Sequence, residues 1–368
     1  MTRFADIWTV LRDPETLSSA VSTTVGTEVS AEVERVLAEG WGEISTLVTC
    51  DPPAHTRFRS LINKAFTPRR VAEREGRIRE IAGTLVDGFV ADGQVELVRR
   101  YAYPLPMTVI AEILGVPHQD LDRFKRWSDD VVARLSAELP PERQIACAKS
   151  LVEFQHYFSE RLDEREREPR DDMLTDLLNA RIEGSAPLTR GEQLSILQQL
   201  LVAGNETTTN LIANMVVLLL ERPETWEAVR SHPERAAAAV EEALRMESPV
   251  HGLFRSTTRE VELGGVTLPA GAHLQLLYAA GNRDAGEFPA PARFDLERAN
   301  ASSHLAFGGG AHFCLGASLA RLEGRIALQT LAARLPGLRL DPERERARVP
   351  HFFLRGFEQL WVRWEPPA

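Results

Sequence analysis

The sequence predicts a mainly α-helical protein with a small β-sheet, folded as a single domain. The helix-forming residues Ala, Leu, Glu and Arg recur along most of the 368 residues, and Pro and Gly separate the segments. One helical segment, residues 190–222, is unusually long and apolar on most sides at its centre. Strand patterns are short and lie mostly between the last helices. We therefore expect a helical body that carries a small sheet.

The periodicity of apolar residues places the individual elements. Thr189 and Glu192 have the spacing of a capping box at the start of the long helix, and Pro223 supplies its stop. Gly264 and Gly265 predict the turn of a hairpin. The predicted elements are helices over residues 71–89, 120–136 and 190–222, a hairpin over 261–268, and strands over 273–279 and 357–364.

The composition excludes several classes of function. A formal charge of −10 disfavours a nucleic-acid surface. The three cysteines are widely spaced and form no CxxC pair, which predicts neither a zinc site nor a disulfide framework and fits a reducing cytoplasm. The most apolar run, residues 211–220, is too short to span a bilayer, and the first residues do not resemble a signal segment. We expect a cytoplasmic monomer without a membrane span.

A glycine-rich loop leads from Phe307 to Cys314 and continues into a helix. Cys314 is therefore expected at the N-terminus of that helix, where the dipole and the free N–H groups favour a thiolate. Glycines such as Gly308 let the backbone approach a flat ligand closely. A lone cysteine is most often a small buried hydrophobe, so the surrounding pattern has to decide its role.

That pattern resembles the heme-binding signature of the cytochrome P450 family. Phe307, Gly310, Cys314 and Gly316 stand at the family's fixed offsets, and His312 matches the bacterial form of the motif. The resemblance implies the cytochrome P450 fold, in which heme b lies between the long central helix and the cysteine loop. It also implies that Cys314 is the axial thiolate of the iron.

Two other motifs overlap this loop and fit less well. Gly316, Ser318 and Ala320 come within one residue of a G-x-S-x-G nucleophile elbow, but the strand that should precede the serine is missing. A dinucleotide-binding G-x-G-x-x-G would need a glycine at Phe313. A serine hydrolase therefore stays a distant alternative.

The resemblance extends to Glu242 and Arg245, which match the family's Glu-x-x-Arg pair. Their spacing places both side chains on one face of a helix. Alone, such a pair is common on protein surfaces. In this family it is buried and tied to the meander before the cysteine loop, for which residues 288–298 are the candidate.

The centre of the long helix resembles the family's oxygen-activation motif. Ala203, Gly204, Glu206 and Thr207 stand at its positions, and the resemblance implies that Ala203 and Gly204 contact the heme. Gly204 costs about 1 kcal/mol relative to Ala inside a helix, so a purely structural helix would rarely place it there. We expect the hydroxyl of Thr207 to steady bound dioxygen and Glu206 to relay protons to it. The alternative is that these residues only kink and cap the helix.

A group of cationic and polar side chains is predicted to hold the heme propionates. His55 and Arg59 lie one helical turn apart after Asp51, and the resemblance adds Arg255 and His312. Buried carboxylates need charged hydrogen bonds, so four donors for two propionates are physically reasonable. For any one of these residues alone, a surface ion pair would be the more common role.

The predicted substrate pocket is mostly apolar, which favours a small apolar or aromatic organic molecule. His251 is its possible polar contact, although an ordinary loop histidine is the more common role. The candidate pocket residues are Leu47, Leu200, Val250, His251, Leu253 and Phe353.

The resemblance implies a heme-thiolate monooxygenase of secondary metabolism, which inserts one oxygen atom from O2 into its substrate. No flavin or iron–sulfur signature is present, so electrons are expected from a separate ferredoxin or flavodoxin and its reductase. Arginines that flank the predicted proximal side are candidates for meeting that partner: Arg69, Arg70, Arg321 and Arg325. A peroxide-driven peroxygenase and a heme- or ligand-binding protein without turnover remain alternatives, and retention of Glu206 and Thr207 argues against both.

The N-terminal segment departs from the family pattern. Residues 4–19 resemble the family segment that follows its first helix and first two strands. We therefore expect those earlier elements to be missing here and the sheet to have an exposed edge.

Overall fold

A computed structural model describes residues 1–23, 29–135, 139–181 and 186–366. Helices dominate this part of the chain. The helices are α1 (Phe4–Leu11), α2 (Ala31–Leu37), α3 (Ala54–Ile62), α4 (Pro68–Ala72), α5 (Glu75–Asp87), α6 (Pro104–Ile113), α7 (Leu121–Arg134), α8 (Pro141–Arg167), α9 (Met173–Asn179), α10 (Arg190–Leu220), α11 (Pro223–Ser231), α12 (Ala236–Met246), α13 (Tyr278–Gly281) and α14 (Ala317–Arg334).

The strands are short and antiparallel. They are β1 (Leu17–Ser18), β2 (Gln94–Glu96), β3 (Leu253–Thr257), β4 (Val261–Leu263), β5 (Val266–Leu268), β6 (His273–Leu276), β7 (Arg339–Leu340) and β8 (Trp361–Arg363). They form sheets in the orders β1-β3-β6 and β2-β8-β7, and β4 pairs with β5 in a hairpin. The predicted class, mainly α with a small β component, is confirmed.

The long helix α10 crosses the middle of the molecule. Its 31 residues span about 46 Å at 1.5 Å per residue. The predicted capping box is present, because the Thr189 hydroxyl accepts from the Glu192 N–H while the Glu192 carboxylate accepts from the Thr189 N–H. Helices α6, α7, α8, α12 and α14 pack around α10. Its apolar side chains consequently lie at the centre of the main core.

Several predicted boundaries were wrong. The helix expected over 71–89 is divided into α4 and α5, because the Arg74 N–H donates to the Val71 carbonyl three residues earlier and interrupts the ladder. The strand expected over 273–279 ends at Leu276. Helix α13 begins two residues later, at Tyr278, and the N–H groups of Ala280 and Gly281 donate to the Leu277 carbonyl. The last strand is shorter than predicted. Within the second predicted helix, 120–136, Ser136 lies outside the described residues.

The predicted hairpin is confirmed. Its turn is formed by Gly264 and Gly265, which have φ values of +60° and +81°. Only glycine adopts such angles without a steric penalty, so the pair fixes the register of β4 and β5.

A buried ion pair connects α12 to the segment before the cysteine loop. Glu242 and Arg245 are both 0% exposed and form two hydrogen bonds, of 2.7 and 2.8 Å. Arg245 also donates to the carbonyl oxygens of Asn282, Pro291 and Arg293. These bonds fix the path of residues 282–293 against α12.

Sequence reasoning missed the third member of this group, Arg298. Its Nε lies 3.0 Å from Glu242 Oε1, and its side chain is 6% exposed. Arg293, in the same candidate segment 288–298, has a side chain that is 73% exposed. Glu242 therefore receives two guanidinium groups, which compensates for the burial of its carboxylate.

Within the described residues, no helix has both the length and the apolar composition needed to cross a membrane.

We predict that Arg245→Met destabilises the protein by about 3–5 kcal/mol, because one partner of a buried ion pair is removed. Urea denaturation monitored by circular dichroism would measure the loss. Arg69→Met is the control, since its pair with Glu73 is 89% and 60% exposed and should contribute less than about 1 kcal/mol. A cost below about 1 kcal/mol for Arg245→Met would contradict the role of this group.

Candidate active site

Cys314 lies in the loop directly before α14. Its N–H donates to the Phe307 carbonyl at 2.9 Å, which closes the glycine-rich loop. Burial raises the pKa of the Cys314 thiol, while the backbone N–H groups of Gly316 and Ala317 and the charge of Arg59 lower it in part. The helix end therefore lowers the pKa of Cys314 as predicted, but by less than burial raises it. A thiolate in this position needs a cationic partner such as a metal ion.

Two glycines of the loop are required by α1. A Cβ at Gly310, which has φ +62°, would overlap the Leu11 carbonyl oxygen. A Cβ at Gly309 would lie 2.7 Å from the Trp8 ring. The loop thus rests directly on α1. A Cβ at Gly316, by contrast, would meet nothing within 4 Å, so the backbone beside Cys314 is open to close approach.

The predicted propionate ligands come together from three elements. The rings of His55, on α3, and His312, in the cysteine loop, have centroids 4.1 Å apart. Burial, the charge of His55 and the charge of Arg255 lower the pKa of His312 to about 3. Burial and the charge of Arg59 likewise lower the pKa of His55. Burial and the neighbouring positive charges therefore disfavour protonation of both imidazoles.

The donors of this cationic cluster (His55, Arg59, Arg255 and His312) are only partly used. Arg255, 3% exposed, donates to the hydroxyl of Ser22 and to the carbonyl of Phe254, while Arg59 donates to Asn63. His312 Nε2 is buried and has no hydrogen-bond partner among the described residues. Such a cluster is suited to a group that carries negative charges.

These observations fit the cofactor that the sequence implies. Heme b presents two propionates and an iron that accepts a thiolate. The cationic cluster would meet the carboxylates, Cys314 would supply the sulfur, and the open backbone at Gly316 would allow the flat ring to come close.

The motif at the centre of α10 has a defined geometry. The Thr207 hydroxyl donates to the Ala203 carbonyl at 2.8 Å, so its oxygen can still accept a hydrogen bond. Ala203 is exposed although it lies mid-helix. Gly204 is explained by packing, because a Cβ there would lie 3.0 Å from Ile110 of α6. The predicted contact of Gly204 with a cofactor stays a prediction.

Glu206 is the unusual acid of this helix. Its Oε1 lies 3.4 Å from the Ser128 hydroxyl of α7 and 3.3 Å from Asn205 Nδ2. Burial and the nearby charge of Asp129 raise its pKa to about 7, although Lys125 opposes the shift. A substantial fraction of Glu206 therefore holds a proton near pH 7, where an acid of ordinary pKa would be ionised. Sequence reasoning missed Ser128, since nothing in its local sequence links α7 to α10, and it assigned no separate role to Asn205.

The predicted pocket residues occupy varied positions. Leu200 and Phe353 are 7% and 5% exposed, while Leu47, Val250 and Leu253 are half-buried. The His251 N–H donates to the Phe353 carbonyl at 2.7 Å. Burial and the charge of Arg355 lower the pKa of His251, so its ring is neutral at pH 7. A contact between any of these residues and a substrate stays a prediction.

The candidate arginines for partner binding are already engaged in ion pairs. Arg321 lies 2.6 Å from Glu241 and Arg325 lies 2.9 Å from Glu75. These pairs border a cleft of about 520 Å3 whose apolar lining includes Val71 and Leu322. The remaining two form the pairs Arg70–Asp176 and Arg69–Glu73.

Comparison with known proteins identifies the class. The sequence model described as cytochrome P450 matches residues 234–336. The cytochrome P450 monooxygenase PikC of Streptomyces venezuelae is 40% identical over 347 residues, which are 93% of this chain and 79% of PikC. The mycinamicin IV hydroxylase/epoxidase of Micromonospora griseorubida is 42% identical over 322 residues, which are 86% of this chain and 79% of that hydroxylase.

A solved structure agrees with these relatives. Cytochrome P450 CREJ, in complex with (4-ethylphenyl) dihydrogen phosphate, has a TM-score of 0.94 at 34% identity, over 99% of this chain and 91% of CREJ. This chain therefore belongs to the cytochrome P450 family of bacterial type, and it is a P450 monooxygenase. Membership in the family implies a heme with a cysteine thiolate ligand.

We predict that Glu206 makes the protein less stable as pH rises from about 4.5 to about 7. Its pKa is raised in the folded state, so its contribution is complete below the unfolded pKa of 4.5 and is lost as pH rises through about 7. The difference in unfolding free energy between wild type and Glu206→Gln should fall by about 3 kcal/mol across this range. Denaturant titrations at several pH values would measure it.

Glu192→Gln is the control for this prediction. Although burial opposes it, hydrogen bonds from Arg57 and Thr189 lower the pKa of Glu192, so its contribution is lost as pH falls instead. A pH-independent difference for Glu206→Gln would show that this acid is not buried in its neutral form.

Proposed function

We propose that Cys314 ligates the iron of heme b and that the chain inserts one oxygen atom from O2 into a small, mostly apolar organic substrate. The observation that carries this proposal is the cationic cluster beside the open cysteine loop. A buried thiolate without a cationic partner and guanidinium groups held in a partly buried cluster without an anion are each costly. One group with an iron and two carboxylates satisfies both.

His55, Arg59, Arg255 and His312 would hold the propionates. They come from α3, β3 and the cysteine loop, so they would fix the position of the cofactor from several sides. The Nε2 of His312, which has no partner among the described residues, would gain a hydrogen bond on loading. Phe307, Gly308 and Gly316 would shape the backbone around the sulfur ligand.

The bound heme would supply the activation of dioxygen, using electrons from outside the chain. The protein's own contribution is placement and protons. Glu206 is partly protonated near neutral pH and can both give and regain a proton there, whereas an acid of ordinary pKa would be ionised. The Thr207 hydroxyl, anchored by its bond to the Ala203 carbonyl, can accept a hydrogen bond and pass a proton onward.

The substrate class is proposed from the pocket and from the relatives. Leu47, Leu200, Val250, Leu253 and Phe353 would present apolar surface to a substrate, with His251 as a possible polar contact. The relatives include proteins named as hydroxylases of mycinamicin IV, erythromycin and vitamin D3. We infer an apolar product of secondary metabolism as the substrate.

Electrons would come from a ferredoxin or flavodoxin and its reductase. The partner would dock on the face that carries the cleft between α4, α12 and α14. Because Arg321 and Arg325 are already paired with acids, this face offers apolar contact as well as charge.

We predict that Thr207→Ala and Glu206→Gln each lower product formed per electron by at least about 10-fold, with hydrogen peroxide as the replacement product, because a proton-transfer group typically contributes 100-fold or more. Reductant consumption, peroxide and product would be measured together with a competent redox system. Thr208→Ala, a buried neighbour on the same helix, should stay close to wild type. Turnover with peroxide but none with any electron-transfer system would support a peroxygenase instead.

A further inference from the structure

A second helix contacts the acid of the oxygen-activation motif. Ser128 of α7 is fully buried (0% exposed), and its hydroxyl lies 3.4 Å from both Glu206 Oε1 and Asn205 Nδ2. Serines inside helices commonly donate to a carbonyl of their own helix. The contacts of this hydroxyl instead lie across the interface between α7 and α10.

The charged groups of α7 near Glu206 largely cancel one another. Lys125 Nζ and Asp129 Oδ2 are 2.8 Å apart, and the two side chains are 50% and 46% exposed. Asp129 raises the pKa of Glu206 by more than Lys125 lowers it. Of the two groups on α7 that favour the ionised acid, Lys125 acts through its charge and the uncharged hydroxyl of Ser128 acts through a hydrogen bond.

A tyrosine completes the polar surroundings of the acid. Tyr103, just before α6, has a buried hydroxyl without a hydrogen-bond partner among the described residues. Burial, Asp129 and Glu206 raise its pKa well above the usual range, so the phenol stays neutral. Lys125 Nζ lies 4.4 Å from the centroid of its ring. Tyr103 therefore contributes a neutral polar group beside α10 and does not add charge.

We propose that Ser128 is a positioning residue for Glu206, and that with Asn205 it holds the carboxyl group against α7 between the surface pair Lys125–Asp129 and Thr207. The inference rests on the role in proton delivery proposed above for Glu206. When Glu206 has given up its proton, the Ser128 hydroxyl donates to the carboxylate. That bond sets the pH range in which the acid regains a proton from solvent.

The direct test is the titration of Glu206 in the heme-loaded protein. Infrared difference spectroscopy would follow the protonated-carboxyl band that disappears in Glu206→Gln. Ser128→Ala should raise the midpoint by about one pH unit, since a hydrogen bond to the ionised form is lost. Ser128→Thr, which keeps a hydroxyl, should restore the wild-type midpoint.

Ser150→Ala is the matched control, because Ser150 of α8 is 4% exposed and its hydroxyl has no partner among the described residues. It should leave the midpoint unchanged. If Ser128→Ala does not fold, Ser128→Cys should give a smaller rise, because a thiol is a weaker donor. The pH dependence of product formed per electron should move with the infrared midpoint.

An unchanged midpoint in Ser128→Ala, or an equal shift in Ser150→Ala, would overturn the proposal. Failure of the proposed function gives a different result. In that case Glu206→Gln would keep wild-type coupling of electrons to product, while Ser128→Ala would still shift the infrared midpoint.

Discussion

The site depends on one electrostatic constraint, the packing of two guanidinium groups and two imidazoles beside one another in a partly buried cluster. His55, Arg59, Arg255 and His312 come from α3, β3 and the cysteine loop, and their mutual repulsion, together with burial, lowers the pKa values of both histidines. Such an arrangement is unfavourable by itself, so the rest of the fold has to maintain it. The contact of the cysteine loop with α1 and the buried Glu242 group do so by fixing the loop and the segment before it.

The fully buried Glu242 and the partly buried Glu206 show how the same residue type can have different roles. Glu242 receives guanidinium groups from Arg245 and Arg298 and connects α12 to the segment that carries Arg298. Glu206 receives only weak polar contacts from Ser128 and Asn205, and its pKa is raised to about 7. The first arrangement stabilises structure. The second leaves a proton available near neutral pH, at a cost in stability that a purely structural residue would not need to carry.

The sequence was sufficient for features that local pattern or a distinctive motif controls. The capping box at Thr189, the Gly264–Gly265 turn and the spacing around Cys314 are of this kind. It was insufficient where distant segments meet. The overlap of Gly310 with Leu11, the bond of Arg298 to Glu242 and the contact of Ser128 with Glu206 join residues 56 to 299 positions apart. The division between α4 and α5 was not predicted for a different reason. A single hydrogen bond that reaches back three residues interrupts the helix, while the periodic pattern of apolar residues continues through it.

The central claim is that Cys314 binds the iron of a heme held by the cationic cluster. The most direct measurement is the absorption spectrum of the purified, reduced protein under carbon monoxide. The account predicts a red-shifted Soret band of the thiolate type, which is lost in Cys314→Ala and retained in Cys147→Ala, where a buried cysteine of α8 is removed. A spectrum without heme, or a thiolate-type band that persists in Cys314→Ala, would contradict it.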